Sequence, residues 1–412
     1  MRLLIATSLL VLLTLSACSK KETTERISNA RETVADKLDD IAVPWRGTRE
    51  DPKAREAERF DEKWRDLSSF RAQQQRAQQQ QQQQAAIANL RFVPSGKETL
   101  KGLSLAAINT APIAVPIQGD LSGPSVLKTQ VYLDRLRFSV GALDGRWGKN
   151  SAISLWWFQR SRGLDSTGAV DEPTFRALAA AAAGEAAVRG HTLTADDVKG
   201  PFESMPEDVY DKAKLACLCY ESLSEKLAEQ FHTTVELLET LNPNVKLADL
   251  AEGAAITVPN VRAEVSQDSP DIAKVVISVA GSTLNAFDAS GNLVFHAPTT
   301  LGSKYDPSPN ETVSVKKVAF DPNFHYQPKL FAEVPDDEPE ANLNPGPNSP
   351  VGVVWIALSK PHFGIHGTAD PDSIGYASSH GCVRLTNWDA REVAHRISPN
   401  VPVEFVDTRA KS

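Results

Sequence analysis

The spacing of apolar residues changes along the chain and divides it into regions. Between Leu127 and Leu178 apolar residues recur at helical spacing in three short groups separated by turn residues, which predicts three amphipathic helices in a small bundle. From Ile272 onward apolar and polar residues alternate, which predicts β-hairpins. The helical period returns over 387–397, with Asn387 as the expected N-cap. The last region is therefore expected to be mainly β, with one helix near its end.

A second helical region lies between these two. Helices are predicted over 224–231 and 235–241, followed by an Asn-Pro-Asn turn and a strand over 255–259. The segment 211–218 also has a helical pattern, so no strand is expected directly before the first of these helices. The whole region is predicted to be a small α+β module.

Residues 1–17 combine a basic start with an apolar run that is too short to span a bilayer, which is typical of a secretory signal. The run ends in L-S-A-C at Cys18, which resembles a bacterial lipobox. This resemblance implies that Cys18 is lipidated and becomes the new N-terminus, and Ser19 after it favours the outer over the inner membrane. An ordinary cleaved signal with a chance cysteine is the alternative. We expect a lipid-anchored protein of the cell envelope that faces the periplasm.

Residues 18–120 lack a hydrophobic pattern that could build a core. A charged segment passes into a glutamine run over 78–84, so part of 50–90 is expected to be a polar solvated helix. The sequence from Val93 to Pro124 has the composition of a flexible linker. A coiled-coil arm is the alternative, for which apolar residues at heptad spacing are too few. We therefore predict a spacer between the lipid and the later modules.

Charge and cysteine content narrow the function further. The net charge is −8 at pH 7 and no basic stripe is present, which argues against a nucleic-acid partner. Cys217 and Cys219 are interpreted as small buried apolar residues, with a disulfide or a metal site as the alternatives. Two thiols without a nearby second pair make a poor zinc site, and we expect neither a metal nor a cofactor.

One motif near the C-terminus carries the chemistry. The stretch Ser379-His380-Gly381-Cys382-Val383-Arg384 follows a second histidine, His366, sixteen residues before the cysteine. A thiol reacts as thiolate and needs a nearby base, so Cys382 is the candidate nucleophile and His366 the candidate general base. Backbone N–H groups at Gly381 and Cys382 are expected to hold an oxyanion. Arg384 shares a face with Cys382 on an extended strand and is expected to hold the thiolate or a substrate carboxylate.

The helical bundle resembles the first peptidoglycan-binding domain family. The likeness rests on D-G-R-W-G at 144–148, the helix from Ala152 to Gln159 and G-L-D-S-T-G at 163–168. The next region looks like a degenerate LysM module, through F-H-T-T-V-E-L-L-E-T-L-N-P-N from Phe231 and E-G-A-A-I-T-V-P-N ending at Asn260. Carbohydrate binding and docking against the last domain are both open for this second module.

The region 271–408 resembles the L,D-transpeptidase catalytic domain, the YkuD fold, through I-H-G-T at 365–368 and S-H-G-C-V-R at 379–384. The resemblance implies a catalytic set and three substrate-binding residues. These are Cys382, His366, His380, Gly381 and Arg384 for catalysis, and Gly367, Ser379 and Tyr376 for substrate. His380 is either a hydrogen-bonding residue of the loop or an alternative base. Where many relatives have a Pro-x-Gly turn, this chain has S-P-N-E-T at 308–312, so the flap over the donor site is expected to differ in shape.

The expected architecture is multidomain: a mainly-β L,D-transpeptidase domain, a three-helix peptidoglycan-binding bundle over 121–185 and an α+β LysM-like module over 186–262. The resemblance implies a reaction that joins peptidoglycan stem peptides by 3→3 cross-links through a thioester on Cys382. Two alternatives use the same nucleophile: attachment of a protein to the wall, and hydrolysis as an L,D-carboxypeptidase or amidase. A non-enzymatic anchor between membrane and wall is a third. Expected partners are peptidoglycan glycan and stem peptides, the membrane through the lipid, and an acceptor protein in the first alternative.

Overall fold

The computed structural model describes residues 87–96, 98–265, 267–303, 307–330, 334–335 and 337–406, with isolated positions between 74 and 85. The predicted signal, lipidation of Cys18 and most of the predicted spacer lie outside these residues. The described residues from Ala77 onward pack as one unit, and every contact described below belongs to it. None of the described helices combines the length and the apolar character needed to cross a membrane.

Three helices form the predicted bundle: α2 (Pro124–Arg135), α3 (Lys149–Ser161) and α4 (Glu172–Ala181). Helix α4 begins where the Asp171 side chain accepts a hydrogen bond from the Thr174 N–H, an N-cap that satisfies one of the free donors of the first turn. The three helices share a core of fully buried residues. These are Leu127, Leu133, Leu155, Phe158, Phe175 and Leu178.

The described residues of the segment Val93 to Pro124, predicted to be a flexible linker, are folded, so that prediction is wrong. Strand β1 (Phe92–Pro94) pairs in parallel with β2 (Ile113–Val115), and helix α1 (Leu105–Thr110) lies between them. Ile108 and Ile113 are each only 1% exposed and belong to the core of the bundle. The Pro and Ala content of this segment indicated a linker, and only the packing of its apolar residues against the bundle reveals them as core.

The next module is α+β, as predicted, but its first strand was missed. Strand β3 (Val188–Thr192) pairs antiparallel with β4 (Ala255–Pro259), so the expected absence of an opening strand is wrong. Between them lie α5 (Ala195–Val198), α6 (Val209–Lys212), α7 (Leu223–Gln230), α8 (Val235–Leu241) and a 3-10 turn (Leu247–Asp249). The helix predicted over 211–218 is limited to the single turn of α6. The strand V-R-G-H-T carries one apolar residue and therefore has no alternating pattern to detect.

Cys217 and Cys219 form a disulfide across one residue, so their interpretation as buried free thiols is wrong. The Cα atoms are 5.2 Å apart, within the range of a disulfide and shorter than the spacing of about 6.4–6.8 Å in an extended strand, so the backbone is bent at Leu218. Leu218 between them is fully buried against Leu343 of the catalytic domain. Its N–H donates to the Pro345 carbonyl at 3.0 Å and its own carbonyl accepts from the Asn348 N–H at 2.9 Å.

The catalytic domain is built on an eight-stranded sheet, confirming the mainly-β prediction. The strands are β5 (Lys274–Ser278), β6 (Thr283–Phe287), β7 (Leu293–Pro298), β9 (Thr312–Phe320), β12 (Val354–Leu358), β13 (Gly364–His366), β15 (Val383–Arg384) and β16 (Pro402–Val406). Their order is β15-β13-β12-β9-β16-β5-β6-β7. Two short pairs flank it: β8 (Leu301–Gly302) with β14 (Ser378–Ser379), and β10 (Phe324–Tyr326) with β11 (Ala341–Leu343). Single 3-10 turns lie at Pro328–Leu330 and Pro371–Ser373.

The C-terminal helix α9 (Asn387–Arg396) covers one end of this sheet. Its N-cap is Thr386, whose side chain accepts from the Asp389 N–H, so the prediction of Asn387 as the cap is wrong by one residue. Asn387 is instead the first helical residue, and its side chain is free to reach other parts of the domain.

A buried ionic cluster joins the three modules. Arg262, which is 3% exposed, pairs with Asp134 of α2 and at 2.5 Å with Asp389 of α9. His232 of the second module bonds Asp134 and stacks on Trp388 with the rings 5.1 Å apart. Burial alone would raise the pKa of Asp134, but the Arg262 guanidinium and His232 bring it down to about 2. Arg262 thus neutralises carboxylates from two modules at once.

Candidate active site

The register of two parallel strands places two of the predicted catalytic residues, His366 and Arg384, side by side. His366 of β13 pairs with Arg384 of β15, and Ile365 pairs with Val383. Ile365 and Val383 are fully buried in the core of the catalytic domain, so they point to one face of the sheet. His366 and Arg384 therefore point to the other face, as does Cys382 two residues before Arg384, because side chains alternate along a strand.

His366 is held in one tautomer. Its Nδ1–H donates to the carbonyl of Gly367 at 2.7 Å, which leaves Nε2 as the acceptor. Trp355 on the adjacent strand stacks on the imidazole, with ring centroids 5.4 Å apart and planes inclined by 23°. Burial and the Arg384 guanidinium lower the pKa of His366 to about 4. The ring is therefore a neutral base at physiological pH.

Cys382 is half-buried, and its Sγ lies 3.6 Å from the His362 carbonyl, to which the thiol donates. Burial raises the pKa of the Cys382 thiol, against the smaller opposing effects of the Gly364 N–H and of Arg384. The resting pair is therefore a neutral thiol and a neutral imidazole. The resting state therefore contains no thiolate, and a general base, the role predicted for His366, has to take the thiol proton when the sulfur reacts.

Arg384 lies beside both groups and acts on them electrostatically. Its guanidinium lowers the pKa of His366 and opposes the increase in the pKa of Cys382. Its buried Nε finds no hydrogen-bond partner among the described residues. A buried cationic donor without a partner can bind an anionic or carbonyl group of a ligand.

The turn before the nucleophile is shaped by two hydroxyl groups. Ser379 donates through Oγ to the Cys382 carbonyl at 2.6 Å, so this predicted substrate-binding side chain is engaged within the turn. Gly381 has φ +100°, and a Cβ there would collide with Phe363, which explains the glycine. Ser308 donates to the Gly381 carbonyl at 2.8 Å. Ser308 lies in the segment that departs from the family pattern, and the sequence did not reveal this role.

Of the remaining predicted residues, Gly367 is buried, whereas Tyr376 and His380 are exposed. The Gly367 carbonyl accepts a hydrogen bond from His366 Nδ1–H, and a Cβ on Gly367 would collide with the Asn387 side chain. Tyr376 is 65% exposed, and its hydroxyl lies against Gly148 of the helical bundle. His380 is exposed at the surface.

Contacts from outside the motif were missed by sequence reasoning. Asn150 at the start of α3 donates through Nδ2 to the Ile374 carbonyl at 2.9 Å, and Thr300 donates through Oγ1 to the Ser373 carbonyl at 3.1 Å. Both hold the loop that leads to the nucleophile. A buried polar residue at the start of a helix gives no signal in one sequence, because polar residues are normal there.

Comparison with known proteins agrees with this geometry. Residues 273–405 match the family model of the L,D-transpeptidase catalytic domain, YkuD, and residues 122–178 match a model described as "Putative peptidoglycan binding domain". The chain is 31% identical over 179 residues to the Bacillus licheniformis protein named "Putative L,D-transpeptidase YkuD", covering 43% of this chain and 88% of that protein. The chain belongs to the YkuD family of L,D-transpeptidases. The domain at 122–178 is accordingly a peptidoglycan-binding domain by family.

More distant relatives carry related names. The Escherichia coli K12 protein named "Probable L,D-transpeptidase YbiS" is 30% identical over 141 residues, which cover 34% of this chain and 46% of that protein. A crystal structure of L,D-transpeptidase 3 from Mycobacterium tuberculosis with a faropenem-derived adduct aligns with 39% of this chain and 76% of its own at 15% identity. Its TM-score is 0.28, so the membership rests on the sequence matches alone.

Proposed function

We propose that this L,D-transpeptidase forms 3→3 cross-links in peptidoglycan through a thioester on Cys382. The observation that supports this most is the strand register that places Cys382, His366 and Arg384 on one face of the sheet, opposite the core. Membership of the family supplies the reaction class, and the residues supply a nucleophile, a neutral base and a cation.

The steps follow from the protonation states. Cys382 Sγ attacks the carbonyl carbon of the third stem residue while His366 Nε2 takes the thiol proton. The tetrahedral oxyanion is held by backbone N–H groups near Gly381 and Cys382, each typically worth about 3 kcal/mol. Collapse breaks the peptide C–N bond, and His366 returns the proton to the departing D-alanine amine. The side-chain amine of a second stem then attacks the thioester, loses a proton to His366 and releases Cys382 as thiol.

The accessory modules raise the local concentration of substrate in this proposal. The domain at 122–178 is peptidoglycan-binding by family, and the module between β3 and β4 has the α+β form expected of a LysM-like unit. Two weak contacts on one polymer make the second binding event intramolecular, so overall affinity rises without new contacts. Carbohydrate binding by the second module is part of the proposal.

We also propose that the chain is tethered by lipid on Cys18 and faces the periplasm, preferably from the outer membrane. The basic start, the apolar run and L-S-A-C support this. Two or more acyl chains would anchor the protein stably. Metabolic labelling with a palmitate analogue is expected to label the full chain and to leave Cys18→Ala unlabelled.

The deciding experiment incubates purified protein with disaccharide-tetrapeptide muropeptides and analyses the products by mass spectrometry. We expect dimers joined between the third residues of both stems, release of D-alanine, and no dimers with Cys382→Ala. Tripeptide monomers alone would show hydrolysis in place of transfer. No turnover by wild-type protein together with retained binding to sacculi would contradict the enzyme and leave a wall anchor. Addition of an acceptor lipoprotein tests attachment of protein to the wall.

A further inference from the structure

Asn387 connects two parts of the active site. It is 1% exposed, and its Oδ1 accepts from the N–H groups of Val353 and Thr368, each at 3.2 Å. A Cβ on Gly352 or Gly367 would collide with this same oxygen. The backbone on both sides of Asn387 therefore approaches as closely as glycine allows, and the amide oxygen fixes the separation of the two loops.

One of these loops orients the base. Gly367 lies between His366 and Thr368, and its carbonyl accepts the Nδ1–H of His366 at 2.7 Å. Because the tautomer of a histidine follows from the bond made by its other nitrogen, the position of this carbonyl decides whether Nε2 is free to accept a proton. Asn387 holds the peptide group that follows Gly367, and thereby the Gly367 carbonyl.

The orientation of the Asn387 amide is set from outside the catalytic domain. Its Nδ2 donates to Glu229 Oε2 at 2.8 Å and to the Pro347 carbonyl at 3.2 Å. Glu229 lies on α7 of the module between β3 and β4, and its other oxygen accepts from the Tyr220 hydroxyl at 2.8 Å. With both carboxyl oxygens accepting, Glu229 requires the nitrogen of Asn387 to face it and the oxygen to face Val353 and Thr368.

We propose that Glu229 is a positioning residue for the transpeptidation: through Asn387 it fixes the Gly367 carbonyl and so keeps His366 in the Nδ1–H tautomer. This inference rests on the proposed function, in which His366 Nε2 is the base. It gives the 188–259 module a role in the chemical step in addition to any binding of glycan. The catalytic domain alone does not supply this carboxylate.

The positioning depends on donor and acceptor geometry and persists when Glu229 is protonated. A neutral carboxyl still offers its carbonyl oxygen to Asn387 Nδ2, and its O–H can donate to the Tyr220 oxygen. In Glu229→Gln, the amide oxygen can accept from Asn387 Nδ2 and the amide NH₂ can donate to the Tyr220 oxygen. Glu229→Gln is therefore expected to acylate within about twofold of the wild-type rate, whereas an aspartate at 387 would set two acceptors against each other.

The test is a charge-conserving swap in the full chain, read by acylation with imipenem, to which the family resemblance implies sensitivity. Asn387→Asp is expected to lower the acylation rate at least tenfold, about the effect of a small displacement of a catalytic group. The double variant Glu229→Gln with Asn387→Asp restores a donor facing an acceptor and is expected to recover to within about threefold of wild type. Glu229→Ala, with the exposed Glu239→Ala as its matched control, covers the case in which Asn387→Asp fails to fold.

The second readout is the His366 tautomer, from the ¹⁵N spectrum of the imidazole nitrogens with His366→Asn identifying the signals. Wild-type protein is expected to show Nδ1–H alone, Asn387→Asp a mixture of both tautomers, and the double variant Nδ1–H again. A folded Asn387→Asp with wild-type rate and tautomer, or a double variant no better than Asn387→Asp, would overturn the proposal. Absence of any imipenem adduct on wild-type Cys382 would instead count against the proposed function, and the tautomer would still test the relay.

Discussion

The base and the nucleophile of this site are held in different ways. His366 is 4% exposed, Trp355 of the adjacent strand stacks on it, and its neighbour Gly367 packs against the buried Asn387. Cys382 follows a loop in which residues 376–378 and His380 are exposed. Side-chain hydrogen bonds of Asn150, Thr300 and Ser308 and the short β8–β14 pair hold that loop.

The difference shows which parts of the site are preorganised by the domain itself. Sheet, helix and the Glu229 contact fix the base before substrate arrives, which avoids reorganisation during the reaction. The loop before the nucleophile is held partly by Asn150, which belongs to the peptidoglycan-binding domain. We therefore expect substitutions on the His366 side to affect chemistry and substitutions on the loop side to affect substrate positioning.

Loss of the base should have the largest effect. His366→Asn removes the imidazole that pairs with Arg384 across β13 and β15, and the acylation rate should fall by about 10²–10⁴. His380→Asn should stay within about tenfold of wild type, because His380 lies on the exposed loop. Intact-mass time courses with imipenem measure the acylation rates of both variants and show which histidine is the base. A larger loss of rate in His380→Asn than in His366→Asn would make His380 the base.

Loss of the interface cation should be the largest stability effect. Arg262→Ala leaves Asp134, Asp389 and Glu392 without their shared partner and should reduce the free energy of unfolding by about 3–5 kcal/mol. Denaturant unfolding provides the measurement. Arg189→Ala, an exposed arginine that lies over the ring of Phe231, is the control and should change it by less than about 1 kcal/mol. Equal losses from both would show that the buried cluster is not what joins the modules.

Stability should depend on pH through Glu229. Burial raises its pKa from 4.5 to about 7, so the folded state binds this proton more tightly than the unfolded state. The resulting stability is complete below about pH 4.5 and is lost as the pH rises through 7. Glu229→Gln does not titrate, so relative to wild type it should gain up to about 3 kcal/mol between pH 4.5 and 8. Unfolding curves at both pH values test this, with Glu239→Gln expected to run parallel to wild type.

A substitution that loosens the loop before Cys382 should have a smaller effect, on substrate positioning. Asn150→Ala removes the bond to the Ile374 carbonyl and should lower kcat/KM for tetrapeptide stems by about three- to tenfold while sacculus binding stays unchanged. Lys149→Ala is the neighbouring control, since its ammonium lies 3.5 Å from the Gly375 carbonyl at the surface. If both variants behave like wild type, the loop does not depend on the peptidoglycan-binding domain.

The smallest expected effect is that of pH on the acylation rate near neutrality. The pKa of His366 is lowered to about 4 and that of Cys382 is raised, so neither should titrate between about pH 5.5 and 8. The imipenem acylation rate should then vary by less than about twofold across this range. An acidic limb with a midpoint near 6.5 would show that the imidazole is less buried during the reaction than in this structure.

The sequence predicted the elements whose pattern is local. The three helices between Leu127 and Leu178 show a 3.6-residue period and the region after Ile272 alternates, so the three-helix bundle and the mainly-β domain were both predicted. The strand Val188–Thr192 was not predicted because it has one apolar residue, and the segment 92–120 was not because its Pro and Ala content resembles a linker; both join the structure through partners far along the chain. The Cys217–Cys219 disulfide was also undecided in the sequence, since the backbone conformation at Leu218 depends on its pairing with 345–348.

By itself, the sequence determined the chemical identity of the site: a cysteine, a histidine and an arginine in motifs short enough to be read along the chain. Only the tertiary structure decided how these groups are charged and held. Burial and the Arg384 guanidinium make the resting pair neutral, and Glu229 and Asn150 reach the site from far along the chain. Desolvation and hydrogen bonding depend on the surrounding atoms in three dimensions, which no local pattern of residues records.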